Sequence, residues 1–309
     1  GKSLSVLAAL GYIVVCDPGP AMHFSPTEKE SVSFVRERLN PLIDSSPRLR
    51  RAIGKGQSLR KGSSGGLDST EVKTFPGGQL SFGSSHKKTD VAARAIRYLL
   101  LDEVDKFAEN AGGEGDPIEL AIKRTTTFEG RRRKIIIVST PTTRMGSRIN
   151  AWYLRGDQRK FKVPCPEPRC GEYFALEFDH VDWTKKRPET ARIVCPYCGV
   201  VHDEAARQKM IDGGRWEATA QGEPGIRSYH MSALASRFTT LQRIVQDYES
   251  AKTPEKKQAF FNTTLAQAYD CTTEFELSHE ILKERAEPIR PPYAADIVFI
   301  TAGVDVQGD

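Results

Sequence analysis

Asp102 and Glu103 end the apolar run Ile96-Arg97-Tyr98-Leu99-Leu100-Leu101. Two adjacent carboxylates at the end of a strand suit nucleotide hydrolysis. There the first carboxylate holds Mg²⁺, usually through water, and the second can orient the attacking water. The plain alternative is a strand with a solvated acidic end. Gly1-Lys2-Ser3 matches the tail of the phosphate loop G-x-x-x-x-G-K-[ST], in which the Lys reaches the β/γ-phosphates and the hydroxyl binds Mg²⁺. Three residues alone say little; they gain weight from an Asp-Glu strand end about 100 residues later. Ser139 and Thr140 close the apolar run Ile135–Val138. At the carboxyl end of a neighbouring strand they could sense a γ-phosphate or its water, or simply cap the strand. Spacing does not decide between these.

A second chemistry lies downstream. Cys165-Pro166-Glu167-Pro168-Arg169-Cys170-Gly171 is followed, after 24 intervening residues, by Cys195-Pro196-Tyr197-Cys198-Gly199. Two close pairs, each ending in Cys-Gly, are a zinc-ribbon pattern with four thiolates in a tetrahedron. The glycines let the backbone turn so that its N–H groups face a thiolate. A closed four-thiolate Zn²⁺ site is structural, because no position is left for water. His180 and His202 are the residues that could replace one ligand. Cys16 and Cys271 read as buried thiols. Six cysteines in this arrangement do not make a secreted disulfide scaffold and point to a reducing compartment.

These groups need elements to hold them. The uninterrupted apolar run before Asp102 predicts a strand buried on both faces of a parallel sheet, with ligands at its carboxyl end. Ile135–Val138 predicts another fully buried strand. Leu4–Leu10 reads as a helix behind Gly1-Lys2-Ser3, Tyr12–Cys16 as a strand, and Ala21–Ser25 as a second strand. Thr27-Glu28-Lys29-Glu30 is a capping box opening a helix with Val32, Phe34, Val35, Leu39, Leu42 and Ile43 inward. Asp116-Pro117-Ile118-Glu119 starts another. Phe75-Pro76-Gly77-Gly78 is a hairpin turn before Leu80–Phe82. Arg48 to Gly66, mixing Arg48, Arg50, Arg51, Lys55, Arg60 and Lys61 with Gly and Ser, predicts a mobile basic loop. Helical periodicity covers Ala205–Ile211, Leu241–Ala251 and Pro254–Ala266. Trp216 with Gly213-Gly214 marks a turn, and Pro288, Pro291 and Pro292 mark a linker. Ile297–Val306 predicts a further strand, with Asp305 near its end.

The whole chain has 309 residues, 39% apolar and 28% charged, with a net charge of +5. That fits a soluble globular protein of one large or two modest domains. No run is long enough for a membrane span and no signal peptide is present. The mild positive charge permits nucleic-acid binding without requiring it. Gly1 in place of an initiator Met predicts a piece of a longer chain.

Taken in order, these stretches resemble the lambda-type terminase large subunits, the motors that package viral DNA into phage capsids. The resemblance is carried by Gly1-Lys2-Ser3, Gly11-Tyr12, Asp17-Pro18-Gly19-Pro20, Pro26-Thr27-Glu28 and Phe75-Pro76-Gly77-Gly78. It continues through Ala92-Ala93-Arg94, Leu101-Asp102-Glu103-Val104-Asp105, Ser139-Thr140-Pro141-Thr142, the cysteine pairs and Gly303-Val304-Asp305-Val306-Gln307.

The resemblance implies an α/β fold: a P-loop NTPase parallel sheet with a zinc-ribbon insertion, a helical linker region and the first strand of a truncated RNase H-like nuclease. The implied domains are an ATPase core at 1–155, the zinc ribbon at 156–205, helices and linker at 206–293 and the nuclease start at 294–309. It implies ATP, Mg²⁺ and Zn²⁺ as cofactors. The implied partners are double-stranded DNA, a small terminase subunit and the procapsid's portal protein, around a homo-oligomeric ring in the host cytoplasm, with no membrane. Gly1, Lys2, Ser3 and Asp102 would bind phosphate and Mg²⁺. Glu103 would be the catalytic glutamate, Arg94 a candidate arginine finger, and Ser139 and Thr140 the coupling residues. Asp305 would be the nuclease's first metal-binding acid, and Cys165, Cys170, Cys195 and Cys198 the zinc ligands. With half a phosphate loop and one nuclease acid, this piece is expected to bind ATP weakly or not at all and not to cut DNA.

Two other readings stand beside it. A DExD-type helicase fits Asp102-Glu103-Val104-Asp105 but needs a second motor domain of roughly 150 residues. A zinc-ribbon DNA-binding or assembly module would work without Glu103.

Overall fold

The computed structural model describes residues 2–58, 70–86, 95–110, 113, 115–130 and 132–270. The expectations for Gly1, residues 59–66, Arg94, Cys271, the 288–292 linker and the 297–306 strand with Asp305 lie outside these residues.

The organising element is a five-stranded sheet in the order β2-β3-β1-β4-β5. Its strands are β1 (Pro20–Ser25), β2 (Val72–Phe75), β3 (Gly78–Ser84), β4 (Tyr98–Asp102) and β5 (Lys134–Val138). Pairings β3–β1, β1–β4 and β4–β5 are parallel, and β2 closes one edge antiparallel. Leu99, Leu100 and Leu101 are all within 1% of full burial, as a strand covered on both faces requires. Burying each contributes about 1.5–3 kcal/mol.

Side chains alternate across the sheet, so successive leucines feed two cores. Leu100, with Ala21, Leu80, Phe82 and Tyr98, packs under α1 (Lys2–Val15), α2 (Glu28–Phe34), α3 (Asn40–Ser45) and α4 (Pro47–Ser58). Leu99 and Leu101, with Met22 and Phe24, pack on the other face against Ile118 and Ala121 of α5 (Pro117–Lys123). Trp152 of α6 (Arg148–Arg155) adds to that side. The capping box is present: Thr27 Oγ1 accepts from the Glu30 N–H at 3.2 Å, and Glu30 Oε2 accepts from the Thr27 N–H at 3.1 Å. A π-helical stretch, Val35–Leu39, carries α2 into α3. Asp116 caps α5 through the Ile118 N–H.

Several expectations fail for physical reasons. Tyr12–Cys16 is no strand; α1 runs to Val15 because Val6, Leu10, Ile13 and Val14 fall on one helical face and bury together. Packing outweighs the β-branched preference of that stretch. Cys16 is exposed just past that helix end. The basic loop is helical over Pro47–Ser58: Leu49 and Ile53, four apart, are buried while Arg48, Arg50 and Arg51 face solvent. Ile135–Val138 are half-buried, because β5 is an edge strand with a neighbour on one side only. Trp216 lies in a strand and not a turn.

A second core lies downstream. There β6 (Arg159–Pro164) pairs with β7 (Tyr173–Ala175), β11 (Arg215–Glu217) and β12 (Tyr229–His230). A separate antiparallel sheet joins β8 (Val181–Thr184), β9 (Arg187–Val194) and β10 (Val201–His202). Three helices complete it: α7 (Glu204–Asp212), α8 (Leu241–Ser250) and α9 (Pro254–Thr263). One apolar cluster runs from Val163 through Ile193, Met210 and Val245 to Leu265, so packing crosses the expected 205/206 boundary. Arg207, with no exposed surface, donates to the carbonyls of Leu234, Ser236 and Thr239 and pairs with Glu204, locking α7 to the segment entering α8. The chain then returns: Tyr269 forms a parallel bridge with Thr143, its N–H donating to Thr142 O at 2.9 Å. Among the described residues no helix is long and apolar enough to cross a membrane.

Phe75-Pro76-Gly77-Gly78 and Asp17-Pro18-Gly19-Pro20 meet at one end of the sheet. Arg97 clamps Asp17 through both carboxylate oxygens at 2.9 Å. A Cβ on Gly78 would overlap the carbonyl oxygen of Gly19. Gly78→Ala should therefore cost about 1–3 kcal/mol in urea unfolding. Gly54→Ala, in α4 with nothing within 4 Å of the new methyl, should gain about 0.5–1 kcal/mol. Equal effects of the two substitutions would refute the close approach.

Candidate active site and cysteine centre

β4 and β5 end side by side, with Asp102 paired to Val138 in the ladder. The ladder runs one residue further: the Glu103 N–H donates to Val138 O at 2.8 Å. Glu103 then takes the left-handed conformation, φ 59° and ψ 47°. For a residue with a Cβ this costs about 1–2 kcal/mol. It turns the chain sharply into Val104–Lys106, a 3₁₀ turn closed by the Lys106 N–H on Glu103 O. Backbone strain of this kind clusters at functional sites.

Lys2, in the first turn of α1, reaches across to this point. Its Nζ lies 3.3 Å from Glu103 Oε1 and donates to Thr140 Oγ1. Lys106 Nζ lies 3.5 Å from the other oxygen, Glu103 Oε2. Both lysines are substantially exposed, so each pair is worth under about 1 kcal/mol. Ser3 is half-buried one residue on from Lys2, at a helix N-terminus whose free N–H groups favour an anion. The structure thus brings Lys2, Asp102, Glu103 and Thr140 to one end of the sheet.

Ser139 is differently employed. Its hydroxyl accepts from the Asp105 N–H at 3.2 Å and donates to Thr140 O at 3.1 Å, so it ties the 3₁₀ turn to β5. Sequence reasoning used Asp105 only as the last letter of Asp-Glu-Val-Asp. Here its Oδ2 accepts from both the N–H and the hydroxyl of Thr142, each at 3.0 Å, and its Oδ1 accepts from the Ile149 N–H at 2.8 Å. One carboxylate joins the turn after β4, the loop after β5 and the start of α6. His23 was also missed. It is fully buried on β1, with its Nε2 3.9 Å from Asp102 Oδ2.

The cysteines gather at two knuckles. Cys165 follows β6 and Cys170 precedes β7; Cys195 follows β9 and Cys198 precedes β10. Gly171 and Gly199, at φ 62° and 71°, turn the chain after each pair where a side chain would be strained. The four Sγ atoms lie within 4.8 Å of one another. Cys165–Cys198 and Cys170–Cys195 are 3.8 and 3.9 Å apart. Burial pushes the Cys165 thiol up to about 12. Burial acts the same way on Cys195, but the backbone N–H groups of Cys198 and Tyr197 outweigh it and hold that thiol below its ordinary value. His202 Nε2 is 3.5 Å from Cys165 Sγ, behind the cluster. His180 is turned away, its Nδ1 facing the Glu177 N–H and its ring against Phe174.

Comparison with known proteins agrees across the chain. Residues 1–216 match the family model described as phage terminase large subunit gpA, ATPase domain. Residues 226–309 match that of the terminase large subunit gpA, endonuclease domain. The join falls inside the cysteine-bearing lobe. The terminase large subunit of Enterobacteria phage P21 is 26% identical over 343 residues, covering 99% of this chain and 50% of the relative. That of Escherichia phage lambda is 26% identical over 337 residues, covering 100% and 51%. The chain thus spans about half the length of these relatives. Among solved structures, the HK97 bacteriophage large terminase matches with TM-score 0.47 at 13% identity, covering 86% of this chain and 44% of that one. The Thermus phage P74-26 large terminase ATPase domain matches with TM-score 0.32 at 14% identity, covering 57% and 68%.

Asp105→Ala would strand the Thr142 and Ile149 N–H groups, at a cost of about 1–3 kcal/mol. Lys106→Ala, which removes an exposed ion pair, should stay within about 0.5 kcal/mol. Chemical denaturation of both variants checks the contrast; a neutral Asp105→Ala would refute the three-way clamp.

Proposed function

The chain belongs to the gpA family of phage terminase large subunits, and on that footing we propose that it is the ATP-hydrolysing portion of a motor that drives double-stranded DNA into procapsids. Cleavage of that DNA would belong to the nuclease of the longer protein, with Asp305 as its first acid. The observation that carries the reading is the convergence of Lys2, Asp102, Glu103 and Thr140 where α1 begins and β4 and β5 end.

ATP fits this point by its donor set: free N–H groups at the start of α1, an ammonium and a hydroxyl for phosphate. Ser3 and Asp102 supply the hard oxygen ligands that Mg²⁺ prefers. Mg²⁺, when bound, neutralises charge developing on the phosphate oxygens. Lys2 holds the β/γ-phosphates, and in doing so must give up its contact with Glu103. Glu103, released and still fixed by its strained backbone, is then free to orient the attacking water. Thr140, which Lys2 also leaves, faces the same space and is placed to register the γ-phosphate. Ser139 acts through Asp105, which spans to Thr142 and α6, so a change at the nucleotide has a hydrogen-bonded route into the loop after β5. Arg94 keeps its role as candidate arginine finger.

We assign Zn²⁺ to Cys165, Cys170, Cys195 and Cys198. Ligands about 2.3 Å from a tetrahedral ion stand about 3.8 Å from one another, and the two cross-knuckle Sγ distances are 3.8 and 3.9 Å. The ion would pin β6–β7 to β9–β10 in a zinc ribbon that packs with the helices of residues 204–263. The remaining division, an ATPase core over 1–155 and a nuclease beginning near 294, is part of this proposal. A small terminase subunit, a portal protein and further copies of the chain in a ring are its partners.

The decisive test is ATP hydrolysis by the full-length protein, with and without linear double-stranded DNA. DNA should stimulate turnover, and Glu103→Gln should lower it at least about 100-fold while ATP binding persists. Turnover indifferent to the substitution would return Glu103 to a solvated strand end. Zinc content by mass spectrometry should be about one per chain and fall in Cys195→Ser. A metal-free chain that melts cooperatively would remove the zinc assignment.

A further inference from the structure

His23 has no evident reason to be a histidine. Its side chain has no exposed surface. Its ring stacks on Phe34, centroids 4.1 Å apart and 11° from parallel, with Phe82 at 6.1 Å. A phenylalanine would make these contacts as well. Neither Nδ1 nor Nε2 has a hydrogen-bond partner. A neutral imidazole carries one N–H and one acceptor, and leaving both unpaired in an apolar layer is unfavourable.

Strand register says what the ring is for. His23 on β1 sits beside Leu100 on β4. Paired residues of neighbouring strands share a face, and so do residues two apart on one strand. Asp102, two beyond Leu100, therefore emerges on the same face as His23, the face covered by α1 and its N-terminus. The recorded separation, 3.9 Å from Nε2 to Asp102 Oδ2, is just outside hydrogen-bond range. A small rotation of the carboxylate closes it.

We propose that His23 is a positioning residue for Asp102. Its Nε2–H donates to Oδ2 from below the sheet's end, so that Oδ1 is left facing the divalent cation. Carboxylates that hold metals are themselves commonly fixed by such hydrogen bonds, and losing the partner typically lowers metal affinity 10- to 100-fold. This inference rests on the reading of Asp102 as the Mg²⁺ carboxylate.

The test uses the full-length protein, with Mn²⁺ as the probe in the presence of a non-hydrolysable ATP analogue and free Mn²⁺ read by electron paramagnetic resonance. ATPase activity is titrated with Mg²⁺ in parallel. His23→Phe keeps the stack on Phe34 and removes the N–H; His23→Gln returns a donor. His23→Phe should weaken Mn²⁺ binding and raise the half-saturating Mg²⁺ about 10- to 100-fold, with the KM for ATP at saturating Mg²⁺ unchanged. His23→Gln should recover most of the loss. Unchanged Mn²⁺ binding in His23→Phe, or a loss that His23→Gln does not repair, overturns the proposal. Should His23→Phe fail to fold, His23→Leu takes its place; if neither apolar variant folds while His23→Gln does, the ring is a structural group and the proposal falls. Asp102→Asn separates the two readings. If it leaves Mn²⁺ binding intact, the Mg²⁺ assignment is wrong; if it abolishes binding while His23→Phe does not weaken it, only the role of His23 is wrong.

Discussion

One hydrogen bond past the end of a strand governs the candidate active site. The Glu103 N–H on Val138 O extends the β4–β5 ladder beyond Asp102. It holds the backbone at the point where Glu103 turns left-handed. Without the tether, the chain could relax to an ordinary conformation and swing the carboxylate away from Lys2. The tether in turn depends on β4 and β5 keeping register, which the buried leucines of β4 enforce. A one-residue slip would carry Leu100 and Asp102 to the wrong face together. The acidic pair is therefore aimed by the same packing that makes the sheet.

The loop after β5 is held from two sides. Asp105 grips Thr142 through backbone and hydroxyl, and Tyr269 closes on Thr142 and Thr143 from the far end of the described chain. Neither grip depends on a large apolar contact. Both are exchanges of directional bonds, which switch between discrete partners more readily than a packed core deforms.

Legibility in the sequence followed the reach of each signal. The cysteine pairs, the capping box at Thr27, the helix start at Asp116 and the apolar run before Asp102 are local patterns, and the structure has each where the spacing puts it. Residues 12–15 misled because Ile13, Val14 and Val15 have strand preference, while the face they extend is set by Val6 and Leu10 a turn or more earlier. The helix at 47–58 was hidden by its charge, since only Leu49 and Ile53 reveal its inner face. Asp105, Arg207 and His23 could not be read at all. Their partners are Thr142 and Ile149, the 234–239 carbonyls, and a carboxylate on a neighbouring strand, and no periodicity within one element encodes such contacts. A fully buried Arg or His is a signal only once burial is known.

The Thr143–Tyr269 bridge has a topological consequence. The two residues run side by side in the same direction. Everything between them, including the cysteine-bearing lobe, is a detour that begins and ends at one point. From the standpoint of the sheet, the chain arrives at Tyr269 on the heading it had at Thr143, as though it had never left. Such an excursion can lengthen, shrink or be exchanged among relatives without re-routing a single strand of the sheet. The lobe is thus free to diversify on a scaffold that does not register its size.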